Sequence, residues 1–130
     1  MTTVLEFDAQ TAASLGRAVA ALAGRRVAVL TGAGVSTDSG IPDYRGKGAP
    51  TRTPMTVQQF LADEASRRRY WVGSHLGWRT FAAARPNAGH EALAALENEG
   101  IATGVITQNV DGLHLRAGSR RVVAVSYTHL

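Results

Sequence analysis

The sequence predicts an α/β fold, a doubly wound parallel sheet. Three observations predict it. Short apolar runs at residues 27–30, 101–106 and 122–123 lack polar alternation, the pattern of strands buried on both faces of a parallel sheet. Helical patterns separate the runs, which gives a strand–helix–strand–helix–strand order. A glycine-rich stretch follows the first run directly, where an open parallel sheet forms its binding crevice.

Residues 9–23 read as a helix, with Leu15, Val19 and Leu22 at i, i+4 and i+7 and Gly24 as the stop. After the first strand, residues 32–48 are glycine-rich and read as a loop. Residues 56–84 return to a helical pattern. Thr56 with Gln59 makes a capping box, and Val57, Phe60 and Leu61 form the apolar side. Tyr70, Trp71, Leu76, Trp78 and Phe81 make an aromatic-rich patch, read as core packing, with an acyl-chain or peptide groove as the alternative. Pro86-Asn87 breaks the pattern. Asn87 is placed to cap a helix over 88–99 with Leu93 and Leu96 inward, and Gly100 ends it. The second strand follows, then a short helix through Ala117 capped by Asn109 or Asp111, then the third strand at Val122.

The 130 residues suit one domain, and 45% hydrophobic with 18% charged residues excludes a wholly disordered chain. The absence of cysteine excludes a disulfide framework, a cysteine-based zinc site and a catalytic thiol within these residues. No run of about eighteen apolar residues is long enough for a membrane span. The first residues carry an acid where a signal peptide would be basic, so a cytoplasmic protein is expected. The net charge of +4 is nearly all arginine, with Lys47 the one lysine. Arg67-Arg68-Arg69 falls in a helical pattern and reads as a solvated face, so nucleic acid is not an expected partner.

Two segments carry chemistry. In the first, residues 31–45, Gly32 and Gly34 let the backbone approach a pyrophosphate, and a following helix start offers amides. No Gly-Lys-Ser/Thr closes it, so it is not a Walker loop. It also departs from the ordinary dinucleotide fingerprint, with Thr37 at the third glycine position and Arg52 where an acid would meet a ribose. Gly32-Ala33-Gly34 alone fits a strained turn equally well. The continuation Gly40-Ile41-Pro42-Asp43-Tyr44-Arg45 adds a rigid turn, a carboxylate, an aromatic ring and a guanidinium. Such a set can hold a carboxamide, cover a reactive sugar carbon and pair a phosphate. The second segment, residues 107–114, begins where the second strand ends, so Asn109 and Asp111 should enter the same crevice. On spacing alone, either residue serves equally as a helix cap, and His114 as a surface or packing residue.

Taken together, the two segments resemble the sirtuin family of NAD-dependent protein deacylases. The family's Gly-Ala-Gly-x-Ser-x-x-Ser-Gly-Ile-Pro-Asp-aromatic-Arg pattern is matched at residues 32–45 and its Thr-Gln-Asn-x-Asp-Gly-Leu-His pattern at 107–114. Arg116-Ala117-Gly118-Ser119 and Pro86-Asn87-x-x-His90-x-Ala92-Leu93 extend the match, which runs from about residue 26 to 123. Tyr44, with Arg69-Tyr70-Trp71 and Gly77-Trp78, looks most like the class II branch. The resemblance implies the N-terminal half of a partial Rossmann-like catalytic domain over residues 1–124, with the zinc-ribbon small domain missing. It implies NAD as cofactor and an acyl-lysine protein as substrate of the full-length parent. Gly32, Ala33, Gly34 and Ser36 would line the diphosphate and ribose. Ile41, Asp43 and Asp111 would bind the nicotinamide carboxamide. Tyr44 would screen the ribose carbon, Arg45 would meet the phosphate side, and Gln108 and Asn109 would hold the nicotinamide ribose. Asn109 and Asp111 are the catalytic candidates, and His90 a helix-terminus packing residue rather than a base.

The resemblance fails at the end of the chain. The family's basic histidine lies in a Glu-Leu-His-Gly context after the third strand, and here Ser126 stands in its place with His129 three residues late. Zinc is expected in the full-length parent, but its cysteine ligands are not in these residues. Residues 125–130, Val-Ser-Tyr-Thr-His-Leu, are the translation of GTC TCT TAT ACA CAT CTN. That string matches a transposon-end adapter, so this tail is expected to be non-native. The chain alone is expected to be inactive and poorly stable, with open strand edges. Alternatives are an ADP-ribosyltransferase, in which the activated sugar meets another nucleophile, and a non-catalytic NAD or ADP-ribose binding module. Gly73, three residues after Tyr70, removes the Tyr-x-x-Arg pair that acidic acyl groups would require.

Overall fold

A computed structural model describes residues 7–43 and 55–125. Helix α1 spans Ala9–Leu22 and starts at Asp8, whose carboxylate accepts the Thr11 amide at 2.8 Å. Strand β1 (Val27–Thr31) leads into a 3-10 turn over Ala33–Ser39. Helices α2 (Val57–Ala62), α3 (Glu64–Ala83) and α4 (Ala88–Asn98) follow, then β2 (Ala102–Thr107), the short helix α5 (Leu113–Arg116) and β3 (Val122–Ala124). The three strands form one parallel sheet in the order β1-β2-β3. The predicted α/β class and all three strands are present.

The helical segment over residues 56–84 is two helices rather than one. Thr56 and Gln59 form the expected capping box of α2. The break is Asp63, held extended at φ −155°, ψ 164°, where it ends α2 and caps α3. Its carboxylate accepts the Ser66 amide at 2.7 Å and the Ser66 hydroxyl at 3.0 Å. A short acidic side chain competes in this way for the amides a continuous helix would use. The same bonds, the amide's first, hold the Asp63 carboxyl below its ordinary value. Arg67 turns back to the Phe60 and Leu61 carbonyls at 3.5 and 3.4 Å, so one arginine of the triplet closes the end of α2 while Arg68 and Arg69 are exposed.

Strand register explains the burial. Val29, Val105 and Val122 pair in a row across the sheet, and Val105 is buried. The neighbouring row, Leu30–Ile106–Val123, lies on the opposite face, and Leu30 is 72% exposed. The expectation of strands covered on both faces is therefore corrected: among the described residues, one face is covered and the other is open. The Leu15, Val19 and Leu22 stripe of α1 is likewise exposed. So are Tyr70, Trp71, Leu76 and Trp78, which corrects their reading as core. Phe60 and Tyr70 meet edge-on at 5.2 Å. Of the aromatic patch, Phe81 alone packs on the buried cluster of Ile41, Ala84 and Leu113.

Two features fix β2. Pairing shifts between Val27 and Ala28, which leaves Thr103 as the extra residue, and its hydroxyl donates to the Val27 carbonyl at 3.1 Å. Gly104 lies at φ +152°, and a Cβ there would stand 2.7 Å from the Arg121 carbonyl oxygen. That oxygen accepts the Val105 amide at 2.8 Å. A side chain at position 104 would push β3 off the sheet.

Candidate functional site

The crevice lies at the carboxyl ends of β1 and β2. Beyond Thr31 the chain tightens into the 3-10 turn, which no side chain caps at Gly32. It ends at Gly40, whose φ of +83° returns the Gly40 amide to Ser36 and Thr37 carbonyls. Beyond Thr107 the chain turns through Asn109 and Asp111 into α5. The expected cap of α5 is Asp111: its Oδ1 accepts the Leu113 amide at 2.9 Å, although Gly112 occupies the N-cap position itself.

Ser36 joins the two segments and is fully buried. Its hydroxyl donates to Asp111 Oδ2 at 2.7 Å. It accepts Asn109 Nδ2 at 3.1 Å and faces His90 Nε2 at 3.5 Å. Asn109 Nδ2 also donates to the Gly32 carbonyl at 3.1 Å, and the Asn109 amide donates to Thr107 Oγ1 at 3.1 Å. Both Asp111 oxygens thus accept hydrogen bonds, and both lone pairs of Ser36 face donors. The directions are self-consistent. The Asn87 amide donates to His90 Nδ1 at 3.3 Å, which places the proton of neutral His90 on Nε2, toward Ser36.

Asn87 supports this from below. Its Oδ1 accepts the Gly89 and His90 amides at 2.9 and 3.3 Å. Its Nδ2 donates to the Val35 carbonyl at 2.8 Å and to Ser39 Oγ at 3.0 Å. One residue therefore starts α4 and pins the 3-10 turn to it. His114, also buried, meets Thr31 Oγ1 through Nε2 at 2.9 Å, and its Nδ1 has no partner among the described residues. The rings of His90 and His114 lie 4.8 Å apart. Burial pushes both below the ordinary histidine value. His90 adds to the effect at His114, and the Asp111 carboxylate opposes it at both.

The candidate residues fall into three groups. Gly32, Ser36, Asn109 and Asp111 are brought together, with Ala33 and Gln108 beside them and Gly34 exposed above the turn. A Cβ on Gly34 would meet nothing within 4 Å, while one on Gly32 would touch Gln108 Oε1 at 3.7 Å. Ile41 is buried in the apolar cluster and its amide is bonded to the Ser36 carbonyl at 3.2 Å, so it forms a wall rather than an open contact. Asp43 is half-buried. Tyr44 and Arg45 lie outside the described residues, as do Arg52, Ser126 and His129. The sequence reading missed Thr31 and Thr107 as hydroxyl anchors of His114 and Asn109. Their signal was a threonine at the last position of each strand. His90 is the packing residue expected, with a capping-box role that its spacing of three from Asn87 encodes.

A cleft of about 280 Å³ opens beside this network, lined by Thr107, Asn109, Asp111, His114, Leu115 and Val122 among others. It has the size of one ring-and-sugar group rather than of a whole dinucleotide. The residues present fit such a group: amide and carboxylate partners at the cleft, and open, uncapped backbone over Ala33 and Gly34 for an anion. Among the described residues, no group of three or more His, Asp or Glu side chains could hold a metal ion, and no helix is long and apolar enough to cross a membrane.

Comparison with known proteins places this geometry. The model of the Sir2 family matches residues 32–128. NAD-dependent protein deacetylase 1 of Streptomyces coelicolor is 64% identical over 91 residues, which cover 68% of this chain and 30% of that protein. NAD-dependent protein deacylase Sirt4 of Drosophila melanogaster is 49% identical over 96 residues, covering 70% and 31%. The chain thus spans about a third of the length of the curated relatives it matches. Among solved structures, a Sir2 homologue mutant in complex with ADP-ribose superposes with a TM-score of 0.75 at 38% identity, over 84% of this chain and 45% of that one. A Sir2–p53 peptide–NAD+ complex gives 0.72 at 37% identity, over 85% and 44%. Two ordered motifs, wired together at one crevice and lying within the matched region, identify the chain as a member of the Sir2 family, the sirtuins.

Proposed function

We propose that residues 1–124 are part of the NAD-binding catalytic domain of a protein-lysine deacylase of the class II branch. The observation that carries this reading is the Ser36–Asp111 hydrogen bond, with Asn109 bonded to both Ser36 and Gly32. NAD, when bound, supplies a nicotinamide leaving group and the ribose carbon that receives the acyl oxygen. The chain's own residues bind and orient. Open backbone at Ala33 and Gly34 accepts the diphosphate. Asp111, its carboxylate fixed by Ser36 and the Leu113 amide, presents one face to the carboxamide, beside Asp43 and against the Ile41 wall. Asn109 and Gln108 hold the adjoining ribose, where the family pattern assigns Tyr44 to screen the sugar carbon and Arg45 to meet the phosphate and ribose side. Fixing the groups on both sides of the nicotinamide–ribose bond in a site screened from water is what its cleavage requires.

The family's base has no counterpart at Ser126, so the 130-residue chain does not deacylate. The protein is cytoplasmic and its substrate an acyl-lysine protein. The test is to sequence the source locus past the Val123 codon, express the complete protein, and assay nicotinamide release on an acyl-lysine peptide. Release by the complete protein and none by the 130-residue chain is expected. Release by the short chain would overturn its inactivity. A native gene without a histidine near position 126, whose product binds ADP-ribose without turnover, would establish the binding module instead.

A further inference from the structure

A second cleft, of about 420 Å³, lies at the opposite end of the sheet from the crevice. It is lined by Arg26, Glu97, Asn98, Arg120 and Arg121, with Gly100 and Ala102. Arg26 immediately precedes β1, Arg120 and Arg121 precede β3, and Glu97 lies in the last turn of α4. Three arginines and one glutamate therefore line the cleft. The Glu97 carboxylate is already committed to the main chain. Glu97 accepts the Arg120 amide at 3.2 and 3.1 Å and the Arg121 amide at 2.8 Å. None of the three guanidinium groups is hydrogen-bonded or ion-paired to another described residue.

The arginine pair is held in place from two sides. Glu97 grips its amides, and on the other side the missing side chain of Gly104 admits the Arg121 carbonyl onto β2. The acid that would ordinarily neutralise such a cluster instead fixes its backbone. The cleft keeps an excess of two positive charges on preorganised backbone, and forked guanidinium donors match phosphoryl oxygens bidentately.

From this we infer that the cleft binds a small oligophosphate, a ligand carrying two or more linked phosphoryl groups. The site is independent of the crevice and of the NAD reading.

The test is arginine modification by phenylglyoxal, mapped by mass spectrometry on the dilute 130-residue chain at constant ionic strength. Pyrophosphate should protect Arg26, Arg120 and Arg121 while Arg68 and Arg69 on α3 continue to react. The double substitution Arg120→Gln, Arg121→Gln touches exposed side chains only, and should raise the pyrophosphate needed to protect Arg26 by about tenfold. Stronger protection by a nucleoside triphosphate than by inorganic tripolyphosphate names a nucleotide as the source, and the reverse order names inorganic polyphosphate. Absent protection, equal protection of Arg68 and Arg69, protection matched by sulfate, or an unchanged Arg26 in the double variant would each overturn the proposal.

Discussion

The Ser36 hydroxyl and the Asp111 carboxylate lie 2.7 Å apart across 75 residues of sequence. This bond makes one crevice of two strand ends, because Ser36 stands on the turn after β1 and Asp111 on the loop after β2. Ser36→Ala would strip Asp111 Oδ2 of its donor and leave Asn109 with a single acceptor. In the complete protein we expect at least a tenfold loss in kcat/KM for nicotinamide release, equivalent to about 1.4 kcal/mol. Thr at this position should recover part of it, since the hydroxyl is retained. Unchanged kinetics in the alanine variant would remove Ser36 from the positioning role.

Asn87 separates capping from bridging. Asn87→Ala loses the cap of α4 and both bonds to the 3-10 turn, and should cost about 2 kcal/mol or more in unfolding free energy. Asn87→Asp keeps the acceptor for the Gly89 and His90 amides but sets a carboxylate oxygen against the Val35 carbonyl. It should therefore be destabilised although aspartate is a good cap residue. Denaturant unfolding of the three proteins decides this, and an aspartate variant as stable as the parent would refute the bridge.

At Gly104, space and conformation argue the same way. Alanine there would meet the Arg121 oxygen and adopt a positive φ. A loss of roughly 2 kcal/mol or more is expected, accompanied by loss of amide-exchange protection at Val105, whose partner is that oxygen. Retained protection would show that β3 accommodates the methyl group.

Stability should fall on the acid side. His90 and His114 titrate below 6.5 in the folded chain, so the unfolded chain takes up protons first as pH drops. Their contribution is complete above about pH 6.5 and is lost as pH falls through the lowered folded values. Each proton taken up on unfolding adds about 1.4 kcal/mol per pH unit to the slope. Thermal midpoints measured from neutral to mildly acidic pH should show this decline, and His114→Gln should flatten it. A midpoint that rises on acidification would contradict the burial argument.

The open row of Leu30, Ile106 and Val123 should make the 130-residue chain associate. Light scattering should report oligomers growing with concentration, and Ile106→Glu should reduce them. A monodisperse monomer at high concentration would mean that the row is covered in solution.

The strands and helices were legible because their signals are local: apolar runs, a capping box, an asparagine after proline. The convergence of residues 32–45 with 107–114 was legible from position alone, since both begin at strand ends of a parallel sheet. Other features were hidden. The break at Asp63 depends on one side chain outcompeting a helical pattern that continues on both sides. The exposure of Trp71 and Trp78 depends on what packs against α3, which periodicity does not encode. The bonds from Thr31 and Thr107 depend on side-chain direction at a strand end, where a threonine reads as an ordinary strand former.

The Ser36–His90–Asp111 network has a consequence for the order of assembly. Every member of it, with Asn87, Asn109 and His114, has been synthesised once the chain reaches residue 114. A chain emerging from the ribosome can therefore wire its crevice once residue 114 has left the exit tunnel, before the later segments of a longer protein emerge. In a longer protein, whatever follows β3 would meet a half-site already set, and would dock against it rather than help to form it.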